Sequence, residues 1–79
     1  MRTVEYRYTV ILEPQEEGGF LVHVPALPEV VTHGDTEKEA LDMAEDAIRL
    51  AVEYRRDNGE PIPAEREPQM HEVRVAVPA

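Results

Sequence analysis

Between Gly34 and Gly59 the chain carries neither proline nor glycine, whereas elsewhere those two residue types cut it into pieces of thirteen residues or fewer. Proline removes an amide donor and glycine weakens a helix interior, so this interval alone has room for a long helix. Its pattern agrees. Leu41, Ala44, Ile48, Ala51 and Val52 recur at steps of three and four, flanked by Ala40 and Ala47, while Glu37, Lys38, Asp42, Glu45, Asp46, Arg49, Glu53 and Arg56 fall mostly on the opposite face. Thr36 stands three residues before Glu39 as a capping box. Acids crowd the first turns, Arg55 and Arg56 close the last, and Asn58-Gly59 before Pro61 and Pro63 stops the helix. These signals predict a helix over about 36–57.

The rest of the chain reads as strands. Val4, Tyr6, Tyr8, Val10 and Leu12 alternate with Glu5, Arg7, Thr9, Ile11 and Glu13, which predicts a one-sided strand over about 3–13. Pro14 to Gly19 is a turn, so the next strand, about 19–25, returns as an antiparallel hairpin with Phe20, Val22 and Val24 on one face. Pro25 and Pro28 turn a corner before a short third strand over about 29–34. Pro61 to Pro68 is a connector, and Val73, Val75 and Val77 alternating with Glu72, Arg74 and Ala76 predict a last strand over about 70–77.

The expected order is therefore β-β-β-α-β. Short loops make the first three strands antiparallel, and the helical crossover sets the last strand beside the first. The expected fold class is α+β: two layers, with a four-stranded sheet of order 3-2-1-4 and one long helix on one face. The other face, carrying Ile11 and Leu21, is left open to a second subunit or another protein.

With 79 residues, positions 1–79 are expected to form a single domain whose one core supplies only about 3 to 5 kcal/mol. There is no cysteine, so disulfides and thiolate zinc sites are unavailable, and His23, His33 and His71 lack the paired spacing of a metal-binding helix. No metal or cofactor is expected. Self-association is the remaining source of stability, and a homo-oligomer is expected.

Seventeen acidic against eight basic residues give a formal net charge of -9. A field of that sign repels phosphate backbones, which argues against direct nucleic-acid binding and suits a basic protein partner. The absence of a membrane-length apolar run or a signal-like N-terminus leads to the expectation of a cytoplasmic protein without membrane contact.

Three stretches in sequence then carry a resemblance. Tyr8-Thr9-Val10-Ile11 is followed by Glu16-Glu17-Gly18-Gly19-Phe20-Leu21-Val22-His23-Val24-Pro25-Ala26-Leu27-Pro28, and then by Thr32-His33-Gly34-Asp35-Thr36-Glu37-Lys38-Glu39-Ala40-Leu41. With Gly59-Glu60-Pro61-Ile62-Pro63 after the helix, this order resembles the N-terminal domain of HicB-like antitoxins over nearly the whole chain. The resemblance implies a degraded ribonuclease-H-like fold that neutralises a small basic RNA-cleaving toxin of the HicA type by stoichiometric binding. Full-length members of that family also carry a C-terminal DNA-binding segment, and operator binding by the present residues is not expected.

Enzymatic chemistry finds little support in the residues. A two-metal nuclease needs several convergent carboxylates, yet Glu5, Glu13 and Glu72 are scattered over strands, and Asp42, Glu45 and Asp46 read as a solvated helix face. Serine and cysteine are both absent, which removes the usual acyl-transfer nucleophiles. The expectation is a non-enzymatic binding protein. Candidate partner-binding residues are Glu13, Glu16 and Glu17, for electrostatic steering, and Pro25, Leu27 and Pro28, as a rigid apolar ledge. Phe20 and His23 join them as residues of the matching motif. The alternative reading is a stand-alone oligomeric interaction module with no toxin partner.

Overall fold

The computed structural model describes residues 2–79, and its elements run β1 (Ile11–Pro14), β2 (Phe20–Val24), β3 (Leu27–Gly34) and α1 (Glu37–Asp57). The three strands form one antiparallel sheet in the order β1-β2-β3, and α1 lies across one face, chiefly over β3 and β2. The α+β class and the antiparallel order of the first three strands stand as expected.

The hairpin between β1 and β2 closes through Gln15 N–H to the Gly19 carbonyl and Gly18 N–H to the Gln15 carbonyl, both 3.0 Å. Between β2 and β3 the chain turns in only two residues, Pro25 and Ala26, so Leu27 already pairs with Val24. An irregularity at His23/Val24 then resets the register, and His23 faces Val31 across the pair. The corner is thus tighter than proline content suggested, and β3 begins two residues earlier than expected.

Alternation along β2 puts Phe20, Val22 and Val24 toward the helix. Val22 packs with Ala40 and Ala44, while Val24, Leu27 and Val30 form an adjoining cluster beneath Ala47, Ile48, Ala51 and Val52. The helix reaches the sheet through alanines. At Gly34 even a methyl group would overlap the backbone of Ala40, so this glycine sets how closely α1 can lie on β3. Leu41, by contrast, is 47% exposed, so the buried seam lies one residue away from where periodicity placed it.

Local chemistry fixes the helix ends. Thr36 sits in extended conformation and its hydroxyl accepts from the Glu39 amide at 3.1 Å. At the other end Gly59 N–H donates to the Arg56 carbonyl and Glu60 N–H to the Arg55 carbonyl, satisfying carbonyls that the helix leaves open. Arg55 then ties three parts together: its guanidinium grips both carboxylate oxygens of Glu29 at 2.9 and 3.0 Å and donates to the Pro61 carbonyl at 2.9 Å. Beyond it the connector is pinned to the N-terminal segment by Tyr8 Oη donating to the Pro63 carbonyl at 2.6 Å and by Thr9 N–H donating to Glu65 at 3.0 Å.

Two expectations are corrected. The first strand spans Ile11–Pro14 rather than 3–13, because β2 ends at Val24 and gives residues 3–10 nothing to pair with. Residues 70–77 form no strand and add no fourth member to the sheet, so the order 3-2-1-4 is not formed within the chain. Their alternation is real, but a strand needs a neighbouring edge as well as a pattern.

Leu27→Ala empties a fully buried site and should destabilise the fold by about 2 to 5 kcal/mol in chemical denaturation. Thr36→Ala should cost about 1 kcal/mol by the same measurement. The hydrogen bonds from Arg55 hold the Glu29 carboxyl below the usual carboxylate range. Its contribution to stability is therefore present above the unfolded pKa and lost as pH falls. Glu29→Gln should flatten the dependence of melting temperature on pH between about 5 and 3; an unchanged slope would mean the pair contributes nothing.

Candidate functional site

The helix covers one face of the sheet, and the register decides what the other presents. Ile11, His23 and Val31 lie in one row across the three strands, and Glu13, Leu21 and His33 in the next. Apolar and polar side chains consequently alternate in both directions. None of the six is buried, and Val31 is 61% exposed although it is aliphatic. Antiparallel sheets carry one solvated face as a rule, but that face is usually polar throughout.

Within this face the Glu13 carboxylate meets His23 Nε2 at 3.0 Å, joining the outer strand to the central one. Gly19 has a left-handed φ of +77°, and a side chain there would meet the Gly34 carbonyl oxygen and the edge of the His33 ring. This close approach explains why the second glycine of the turn is required. Among the described residues no three of His, Asp and Glu stand close enough together to hold a metal ion.

The expected binding residues separate into three places. Glu13 and His23 stand together on the open face, with Glu16 and Glu17 exposed in the turn at one end of it. Phe20 points the other way and packs against Val22, Ala40 and Ala44. At the opposite end of β2, Pro25 is half-buried and Pro28 exposed, but Leu27 is fully buried with Val24 and Val30. Leu27 is thus a core residue rather than part of a ledge, because the two-residue turn brings it straight back under the helix. Sequence reasoning passed over Val31, since the adjacent Val30 made it impossible to say which valine faced the core. The partner position of Leu21 would have marked His33, and with it Val31, as residues of the same face.

Charge is distributed unevenly around this face. Lys38, Arg49, Arg55 and Arg56 are each held in an ion pair with a nearby acid, and all four stand on α1, across the sheet from this face. The open face is a mixed apolar and polar patch with Glu13 on it and Glu16 and Glu17 exposed beside it. No helix among the described residues is long and apolar enough to cross a membrane.

The sequence also matches known proteins. The family described as HicB_like antitoxin of bacterial toxin-antitoxin system matches residues 7–79. An antitoxin HicB of Photorhabdus laumondii is 53% identical over 57 residues, which is 72% of this chain and 37% of that protein. A UPF0150 protein of Thermoplasma acidophilum is 46% identical over 57 residues, covering 72% of this chain and 83% of the relative. The antitoxin HicB of Escherichia coli K12 is 36% identical over 72 residues, 91% of this chain and 52% of its own length. The chain thus spans about half or less of the antitoxin relatives it matches. On the profile match across residues 7–79 and these identities, the chain belongs to the HicB-like antitoxin family of bacterial toxin–antitoxin systems.

Proposed function

We propose that this chain neutralises a small, basic, RNA-cleaving toxin of the HicA type by stoichiometric binding, without catalysis of its own. The observation that carries the reading is the open sheet face: half-buried Ile11 and Leu21 and exposed Val31, interleaved with Glu13 and His23 and bordered by Glu16 and Glu17. The apolar positions supply desolvated contact, and the acids raise the encounter rate with a basic partner. Pro25 and Pro28 offer a second, rigid contact at the far end of β2. Phe20 acts indirectly by holding β2 to the helix. The net charge of -9 makes nucleic acid an unfavourable direct ligand for these residues.

We also infer that residues 1–79 act as one folded unit that self-associates. Two features support this part. The radius of gyration is 16.0 Å, against about 12 Å for a closely packed chain of this length. Val73, Val75 and Val77 are all at least three-quarters exposed, a state unusual for aliphatic residues in an alternating run.

Val31→Arg changes a side chain that already projects into solvent, so its melting temperature should stay close to that of the unmodified chain. Its affinity for the toxin, read by calorimetry, should fall by roughly 10- to 100-fold. Unchanged affinity would place the toxin contact elsewhere. Association should also slow as ionic strength rises past about 0.1 M, where the Debye length is near 10 Å, with Glu16→Gln and Glu17→Gln reducing that dependence. A salt-independent on-rate would remove the role given to the acids.

A further inference from the structure

We infer that residues 70–77 form the fourth strand of a second copy of this chain, so that self-association proceeds by reciprocal exchange of this segment. The proposal rests on the self-association reading above and specifies the surface through which it occurs.

The receiving site is an incomplete sheet. Residues 2–10 lead into β1 but have no strand on either side, although their stacked Tyr6 and Tyr8 rings, 6.4 Å apart and nearly parallel, are placed as on an extended chain. Between this segment and α1 lies a cleft of about 1010 Å³. Val4, Val10, Leu41, Ile48 and Val52 supply its apolar lining, among charged residues of both signs such as Arg7, Glu45, Arg49 and Glu53, and Leu41 stays nearly half exposed. An alternating strand pairing with residues 3–10 would fill both needs. Its backbone would satisfy a free edge, and one row of its side chains would cover the exposed flank of the helix.

The chain itself contains one such strand. Val73, Val75 and Val77 are 82%, 75% and 77% exposed, with Glu72, Arg74 and Ala76 between them. Its own receiving site does not take it. The connector is pinned to Tyr8 and Thr9 through Pro63 and Glu65, residues 69–79 after it are all exposed and in no strand, and the molecule is elongated, 63 Å against 25 and 18 Å. Donor and acceptor segments are thus both present in each copy and both unused, the condition under which two identical chains complete one another.

Charge selects a second copy over another protein. Two chains of net charge -9 repel each other, and an interface between them requires surfaces outside the acidic excess. These two segments meet that requirement. In residues 68–79 Arg74 balances Glu72, and in residues 2–12 Arg2 and Arg7 exceed Glu5 by one charge. The whole acidic excess therefore lies in residues 13–67, and where α1 of that stretch lines the cleft its Glu45 and Glu53 are accompanied by Arg49 and Arg56, so the exchanged strand meets no net negative charge there. A basic toxin, by contrast, would gain nothing electrostatically from a neutral strand.

Light scattering on the full chain and on a variant carrying Val73→Asn and Val75→Asn tests this. Both substitutions are neutral and lie at exposed positions, so the helical circular dichroism of the variant should be unchanged. The unmodified chain should show at least twice its 9.0 kDa mass, and the variant should fall to 9.0 kDa. Backbone hydrogen exchange gives a second reading that needs no variant: amides of residues 70–77 should be protected in the oligomer and lose protection on dilution. An unmodified chain that is monomeric at all concentrations would overturn the self-association reading and this proposal together. A variant that keeps the oligomeric mass, or unprotected 70–77 amides in the oligomer, would leave self-association standing and overturn the exchange. Protection that persists in a monomer would show the segment pairing within its own chain, which also overturns it.

Discussion

The contact between Gly34 and Ala40 sets the geometry of everything else. Because Gly34 has no side chain, α1 settles on β3 at backbone distance, and Ala44 follows it down onto Val22. The thin seam of alanines costs apolar area, since alanine buries less than leucine. What it gains is a fixed helix position that commits the opposite sheet face to solvent. Overpacking at this seam would lift the helix and uncover Val22, Val24 and Leu27 together.

From that commitment the functional surface follows. Among the described residues no second layer covers Ile11, Leu21 and Val31, which alternate with Glu13, His23 and His33 across the open face. In the proposed complex the acids would serve a basic partner in rate more than in final affinity, and the aliphatic positions would make the contact that excludes water. The proposed recognition thus divides between two physical effects on one face, and neither calls on a catalytic group.

How much of this was legible in the sequence depends on whether the deciding interaction is local. Thr36, Arg55, Arg56 and Gly59 mark the ends of α1 by capping and dipole chemistry that acts within a turn, and the helix lies where those residues place it. The hairpin at Gln15–Gly19 is legible for the same reason. Leu27 was misplaced because prolines announce a corner without giving its length. The strands expected at 3–13 and 70–77 could not be judged from pattern alone, since alternation states that a segment can pair but not which edge it will find. At the candidate site, Glu13 and His23 were named as candidates by charge and motif, yet their meeting at 3.0 Å depends on cross-strand register, which no local signal encodes.

The central claim is neutralisation by binding, and the most direct measurement is a titration of toxin-catalysed RNA cleavage with this chain. A small basic toxin of the matching family should lose activity linearly, reaching zero at a fixed molar ratio that does not change with RNA concentration. Cleavage that continues undiminished in the presence of excess chain would contradict the account.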